Sequence, residues 1–183
     1  MTLPRGFKAD AERRAERVRS ELGRAPSAVV TAGELAEHHN VMVVSAERLV
    51  ERARLEELER LQSFAFSAAT FAVNGRYVVV TNPLRSRERL ASDIAHELSH
   101  VVLGHQLSEL HELEGVPFRT CRPDEEEQAT ALGATLLLPR PLLLAAARGG
   151  EPLESLAARC GVTTELARYR WNTTGVARQS SRR

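Results

Sequence analysis

His96-Glu97-Leu98-Ser99-His100 places two imidazoles and a carboxylate within five consecutive residues. On a helix of 3.6 residues per turn, His96 and His100 share a face one turn apart, and both can bind one zinc ion. Glu97 then points to the side where a water on that ion would sit. Zinc lowers the pKa of such a water to about 7 and polarises a carbonyl, while a glutamate takes and returns the proton. The chemistry implied is hydrolysis of a peptide bond.

An element must hold these residues in that geometry. The segment 86–105 reads as an amphipathic helix, with Leu90, Ile94, Leu98 and Val101 at spacings of four, four and three. A catalytic zinc needs a third protein ligand and an open fourth position. The extended pattern HExxHxxGxxH is absent, because Leu103 stands at the glycine position. The better source lies downstream, in Asp124-Glu125-Glu126-Glu127-Gln128 followed by the apolar run 129–138. Pro123 marks a helix start there, and acids in a first turn are favoured by the helix dipole. One of these acids should face the metal. Glu109, His111, Glu112 and Glu114 are competing candidates, with solvated loop charge as their ordinary reading. His105, five residues past His100, lies about 140° around the helix from it and should not join the same ion.

These residues together resemble the ImmA/IrrE family of metallo-endopeptidases. The first family motif reads here His96-Glu97-Leu98-Ser99-His100-Val101-Val102-Leu103-Gly104-His105. The second reads Glu126-Glu127-Gln128-Ala129-Thr130 and ends in Leu136-Leu137-Leu138-Pro139. Softer similarity extends to the opening stretch from Gly6-Phe7-Lys8 and to Arg170-Trp171-Asn172-Thr173-Thr174-Gly175 near the end. The resemblance implies that His96, His100 and Glu126 hold zinc and that Glu97 is catalytic. It implies an α+β fold of the minimal zincin type, a small twisted β-sheet packed with helices. It also implies a protein substrate, a helix-turn-helix repressor of a mobile element, prophage or stress response. The family commonly carries Asn or Asp where Thr130 stands, and Phe-Ala where Leu132-Gly133 stand. These departures bear on how firmly a metal ligand is oriented by its neighbours.

Composition narrows the rest. One hundred and eighty-three residues suit one domain, or one with a small appendage. A net charge of +1 gives no global field toward nucleic acid or membrane, and Lys8 is the only lysine among 25 basic residues. No apolar run approaches the roughly 18 residues of a membrane span, and the start is not an apolar signal core. Two cysteines, Cys121 and Cys160, provide no disulfide framework, which fits a reducing cytoplasm. Cys121 is a weaker candidate for an inhibitory or alternative metal ligand.

Along the chain, 9–22 reads as a charged helix, 31–39 as a short helix and 41–44 as a short strand. His38 and His39 read as a surface helix end. The leucines at 49, 55, 58 and 61 predict one helix over 45–61 with those side chains inward. Segments 64–73 and 76–81 flank Asn74-Gly75, a two-residue hairpin signal. In zinc peptidases of this kind a strand edge near the metal helix holds substrate as an added strand, and 76–81 is the candidate. Residues 106–122 read as a loop or broken helix. Residues 142–148 and 153–171 read as helices, the latter interrupted at Gly161 in the manner of a helix-turn-helix. The expected organisation is a zinc peptidase domain over 1–148, a C-terminal helical segment over 149–177 packed on it, and a mobile tail over 178–183. The competing reading is a non-catalytic regulator that binds DNA or protein, with a degenerate site or a structural zinc. A structural zinc would take Cys121 or His111 as fourth ligand.

Overall fold

The computed structural model describes residues 3–64, 66–106, 110–113, 116–119, 122–176 and 179. Its elements run α1 (Phe7–Glu21), α2 (Ala32–His38), β1 (Met42–Ser45), a 3-10 turn (Ala46–Arg48), α3 (Arg52–Leu61), β2 (Ala68–Val73), β3 (Arg76–Thr81) and α4 (Arg87–Leu103). They continue with β4 (Leu110–Leu113), β5 (Val116–Arg119), α5 (Pro123–Leu137), α6 (Arg140–Arg148), α7 (Leu153–Cys160) and α8 (Thr164–Thr173). The architecture is α+β, a small mixed sheet set among helices as in a minimal zincin.

The sheet has the order β1-β3-β2. β1 lies parallel to β3, with Val43 opposite Val79, and β2 lies antiparallel, with Phe71 opposite Val78. Asn74 and Gly75 both take positive φ, 51° and 74°, as a tight turn with the twist of its strands requires. The sheet order corrects the assignment of 76–81 as the strand that receives substrate. β3 is central and its two edges are already paired, by β1 and β2. β2 is the edge strand facing the metal helix.

The expected continuous helix over 45–61 is also corrected. The chain makes a 3-10 turn, passes through extended backbone at Glu51 and only then enters α3. Ala46 and Leu55 share one buried cluster with Val80 of β3. Nine residues apart, they would lie on opposite sides of one straight helix, so the helix must break for both to reach the sheet. Leu55 alone of the four leucines is buried; Leu49, Leu58 and Leu61 are 64%, 41% and 74% exposed. Within 106–122, residues 110–113 and 116–119 are likewise not loop or broken helix but the antiparallel pair β4–β5, Leu110 opposite Arg119 and Leu113 opposite Val116. Their partnership is a contact between segments, invisible to a count of local charge.

α5 is the axis of the main core. Leu132, Leu136, Leu137 and Leu138 are at most 1% exposed. α4 crosses it through small residues, where a Cβ on Gly133 would stand 2.7 Å from the Ala95 carbonyl oxygen. On α4, Ser99 is fully buried at this crossing and turns its hydroxyl back on the Ala95 carbonyl at 2.7 Å. The fully buried Arg19 of α1 donates to the carbonyls of Ala15, Ala28 and Leu136, so α1 closes the C-terminal end of α5. Burial pulls the Arg19 guanidinium down to about 10.

The C-terminal helices share this core, with Leu156, Ala157, Cys160, Val162 and Ala167 in one cluster with Leu132 and Leu136. Gly161, at φ 64°, makes the turn between α7 and α8, and the Thr163 hydroxyl caps α8 by accepting from Leu166 N–H. Arg170 donates to the Leu138 carbonyl at 3.0 Å and to Glu12 of α1 at 2.6 Å. Among the described residues no single helix is long and apolar enough to cross a membrane.

Candidate metal centre

α4 begins at Ser86, whose hydroxyl accepts from Arg89 N–H, and ends at Gly104 in the left-handed conformation. The HExxH residues therefore sit in its last two turns, in regular helix. His96 and His100 turn toward the first turn of α5, where Pro123 starts the helix and Asp124, Glu125 and Glu126 follow. Of these acids, Glu125 turns to Arg122 at 3.2 Å. Glu126 faces the histidines: its Oε2 is 3.1 Å from His96 Nε2, and its Oε1 is 3.5 Å from His100 Nε2. The two Nε2 atoms are 3.2 Å apart.

This triangle fits a metal ion. Ligand atoms held about 2.0–2.1 Å from one tetrahedral zinc stand about 3.3 Å from one another. His96, His100 and Glu126 form the group of metal-ligand type found among the described residues. The two imidazoles hold the Glu126 carboxyl far below the usual carboxylate range, against the opposing effect of burial. The set of two histidines and one glutamate is that of hydrolytic zinc sites with an open position.

Both imidazoles are held from behind. Thr130 Oγ1 lies 3.3 Å from His96 Nδ1, so the threonine at the family's Asn or Asp position still brings an oxygen to that nitrogen. His105 Nδ1 lies 3.0 Å from His100 Nδ1. Burial and the adjacent His100 push the His105 imidazole below its ordinary value. His105 thus stays off the triangle but fixes one of its corners. With each Nδ1 engaged, each Nε2 is the nitrogen free for a metal.

Glu97 is 9% exposed and accepts a 2.6 Å hydrogen bond from the Thr70 hydroxyl on β2. Thr70 is itself buried, and sequence reasoning missed it; no spacing rule joins residues 27 positions apart on a strand and a helix. Gly133 was equally hidden, since only the crossing of α4 and α5 shows why a side chain would not fit. Cys121, Glu109 and Glu114 lie outside the described residues, as do the side chains of His111 and Glu112. His38 and His39 do not join the triangle, His38 pairing with Glu21 at 3.0 Å.

A mixed sheet whose edge strand flanks a helix bearing HExxH, with a glutamate from a second helix closing the site, defines a zincin-type metallopeptidase fold. Residues 36–172 match the model of the IrrE N-terminal-like domain, a peptidase family, and the chain belongs to that family, the ImmA/IrrE metallopeptidases. A comparison with curated proteins finds no match.

Proposed function

We propose that the protein is a zinc-dependent endopeptidase that cleaves a protein substrate at a chosen site, a helix-turn-helix transcriptional repressor being the expected target in the cytoplasm. The observation that carries the reading is the convergence of His96, His100 and Glu126 on one point, with Glu97 lining the same cavity as His96. Bound there, zinc would supply Lewis acidity toward the scissile carbonyl and toward water. Thr70 occupies Glu97 Oε2, which leaves Oε1 to take a proton from the attacking water. As the water oxygen joins the carbonyl carbon and the C–N bond breaks, Glu97 delivers that proton to the leaving nitrogen. β2, an edge strand of the sheet among the described residues and packed beside α4, suits a substrate laid alongside as an extra strand, main chain to main chain.

Metal content measured by elemental mass spectrometry tests the site. One zinc per chain is expected in the wild type and little in Glu126→Ala, whereas Glu125→Ala and Glu127→Ala should keep it. Glu97→Gln should hold zinc and lose cleavage; an undiminished rate would remove Glu97 from its role. Chelation separates this reading from a structural zinc. The main core of α1, α4, α5 and α8 contains none of the three ligand residues, so the zinc-free chain should still unfold cooperatively. A chain that unfolds on zinc loss would overturn the open-site reading.

A further inference from the structure

A cavity of about 520 Å³, lined by His96 and Glu97, lies between the start of β2 and helices α4, α5 and α8. Its charged lining consists of Asp93, Glu97 and Glu165 against Arg89, three carboxylates to one guanidinium. Asp93 is 8% exposed; Arg89 holds its Oδ1 at 3.0 Å, and its Oδ2 is buried with no hydrogen-bond partner among the described residues. An unpaired buried carboxylate oxygen is costly, and Asp93 carries one at the wall of this cavity. Burial pushes the Asp93 carboxyl above its usual range, against the lowering pull of Arg89, His96 and Arg85.

The far wall comes from the C-terminal helical pair. Glu165 and Tyr169, one turn apart on α8, line the cavity with Leu166 between them. Glu165 has no ion pair among the described residues. The aliphatic stem of a long cationic side chain would lie on Leu166 and Ala134, with its head group between Asp93 and Glu165 and over the Tyr169 ring. The second helix of the helix-turn-helix-like segment thus turns its first two turns toward the catalytic glutamate. Glu165 is also a poor residue to present to a phosphate backbone.

We infer that this cavity is a substrate subsite for an arginine or lysine side chain close to the scissile bond, built jointly by Asp93 of α4 and Glu165 of α8. The subsite deepens the peptidase reading and rests on it for its place in catalysis, while the binding of a cation does not. The first test is therefore a titration of the full chain, followed by amide NMR, with N-acetyl-arginine methylamide and with its neutral citrulline counterpart. The arginine compound should shift the amides of Leu166 and Tyr169 and bind about tenfold more tightly than citrulline. Glu165→Gln, a change on an exposed position, and Asp93→Asn should each erase most of that preference. Equal affinity for the two compounds, or shifts away from α8, would overturn the subsite. The second test maps cleavage of a mixed peptide library by the zinc-loaded chain. A basic residue enriched at one fixed place beside the cut supports the subsite, and cleavage without it overturns the subsite while leaving the peptidase. Arginine binding with no cleavage of any peptide overturns the peptidase and leaves the cation site standing.

Discussion

Thr70 and Glu97 meet as two buried polar groups, and each satisfies the other. Removing the hydroxyl would free Glu97 Oε2 to rotate and would leave a carboxylate oxygen without its donor. Thr70→Val should therefore lower kcat by about tenfold with KM little changed, while Thr70→Ser should restore most of the rate. Equal rates for wild type and Thr70→Val would show that the hydrogen bond is only structural. His96, Glu97 and His100 were legible in the sequence because helical spacing is a local property. Glu126 was legible only as one acid among four until the family pattern singled it out, and the structure separates it from Glu125 by what each faces. Thr70 meets Glu97 only because the fold brings a strand and a helix together, and it carries no motif.

The crossing of α4 and α5 sets the distance between two ligands on one helix and the third on the other. Gly133 meets the backbone of Ala95 and His96 from one side, at distances of 2.7 to 3.0 Å for an added Cβ. These neighbours are main-chain atoms and cannot swing away, so Gly133→Ala must push the helices apart. A loss of about 1–3 kcal/mol in denaturant unfolding is expected, with weakened zinc binding because His96 moves relative to Glu126. Unchanged stability would mean that the helices can slide at no cost. What looked like a departure from the family pattern is thus a packing requirement of this crossing. The Asn74-Gly75 hairpin was legible because turn chemistry is local. The break before α3 was not, because it is decided by contact with a strand far along the chain, and neither was the β4–β5 pair, whose strands are only four residues each.

At the scale of the whole molecule, the C-terminal helices and the metal helices share one core, which bears on how the protein unfolds. Arg170 is 7% exposed and joins the end of α5, through the Leu138 carbonyl, to Glu12 of α1. Glu12 in turn accepts from the Arg140 backbone N–H at 2.9 Å, at the start of α6. Arg170→Ala would leave the Leu138 carbonyl and the Glu12 carboxylate short of a donor, at a cost of about 2–3 kcal/mol. Since Leu156, Val162 and Ala167 pack in the same cluster as Leu132 and Leu136, that loss should appear in one cooperative transition shifted to lower temperature. The same coupling places Glu165 and Tyr169 against the site, so Arg170→Ala should also raise KM for a basic substrate more than it lowers kcat. Two separate transitions by calorimetry, with the metal helices melting at the wild-type temperature, would mean that residues 149–177 fold as an independent unit. The wall they give to the cavity would then be a contact the site can do without.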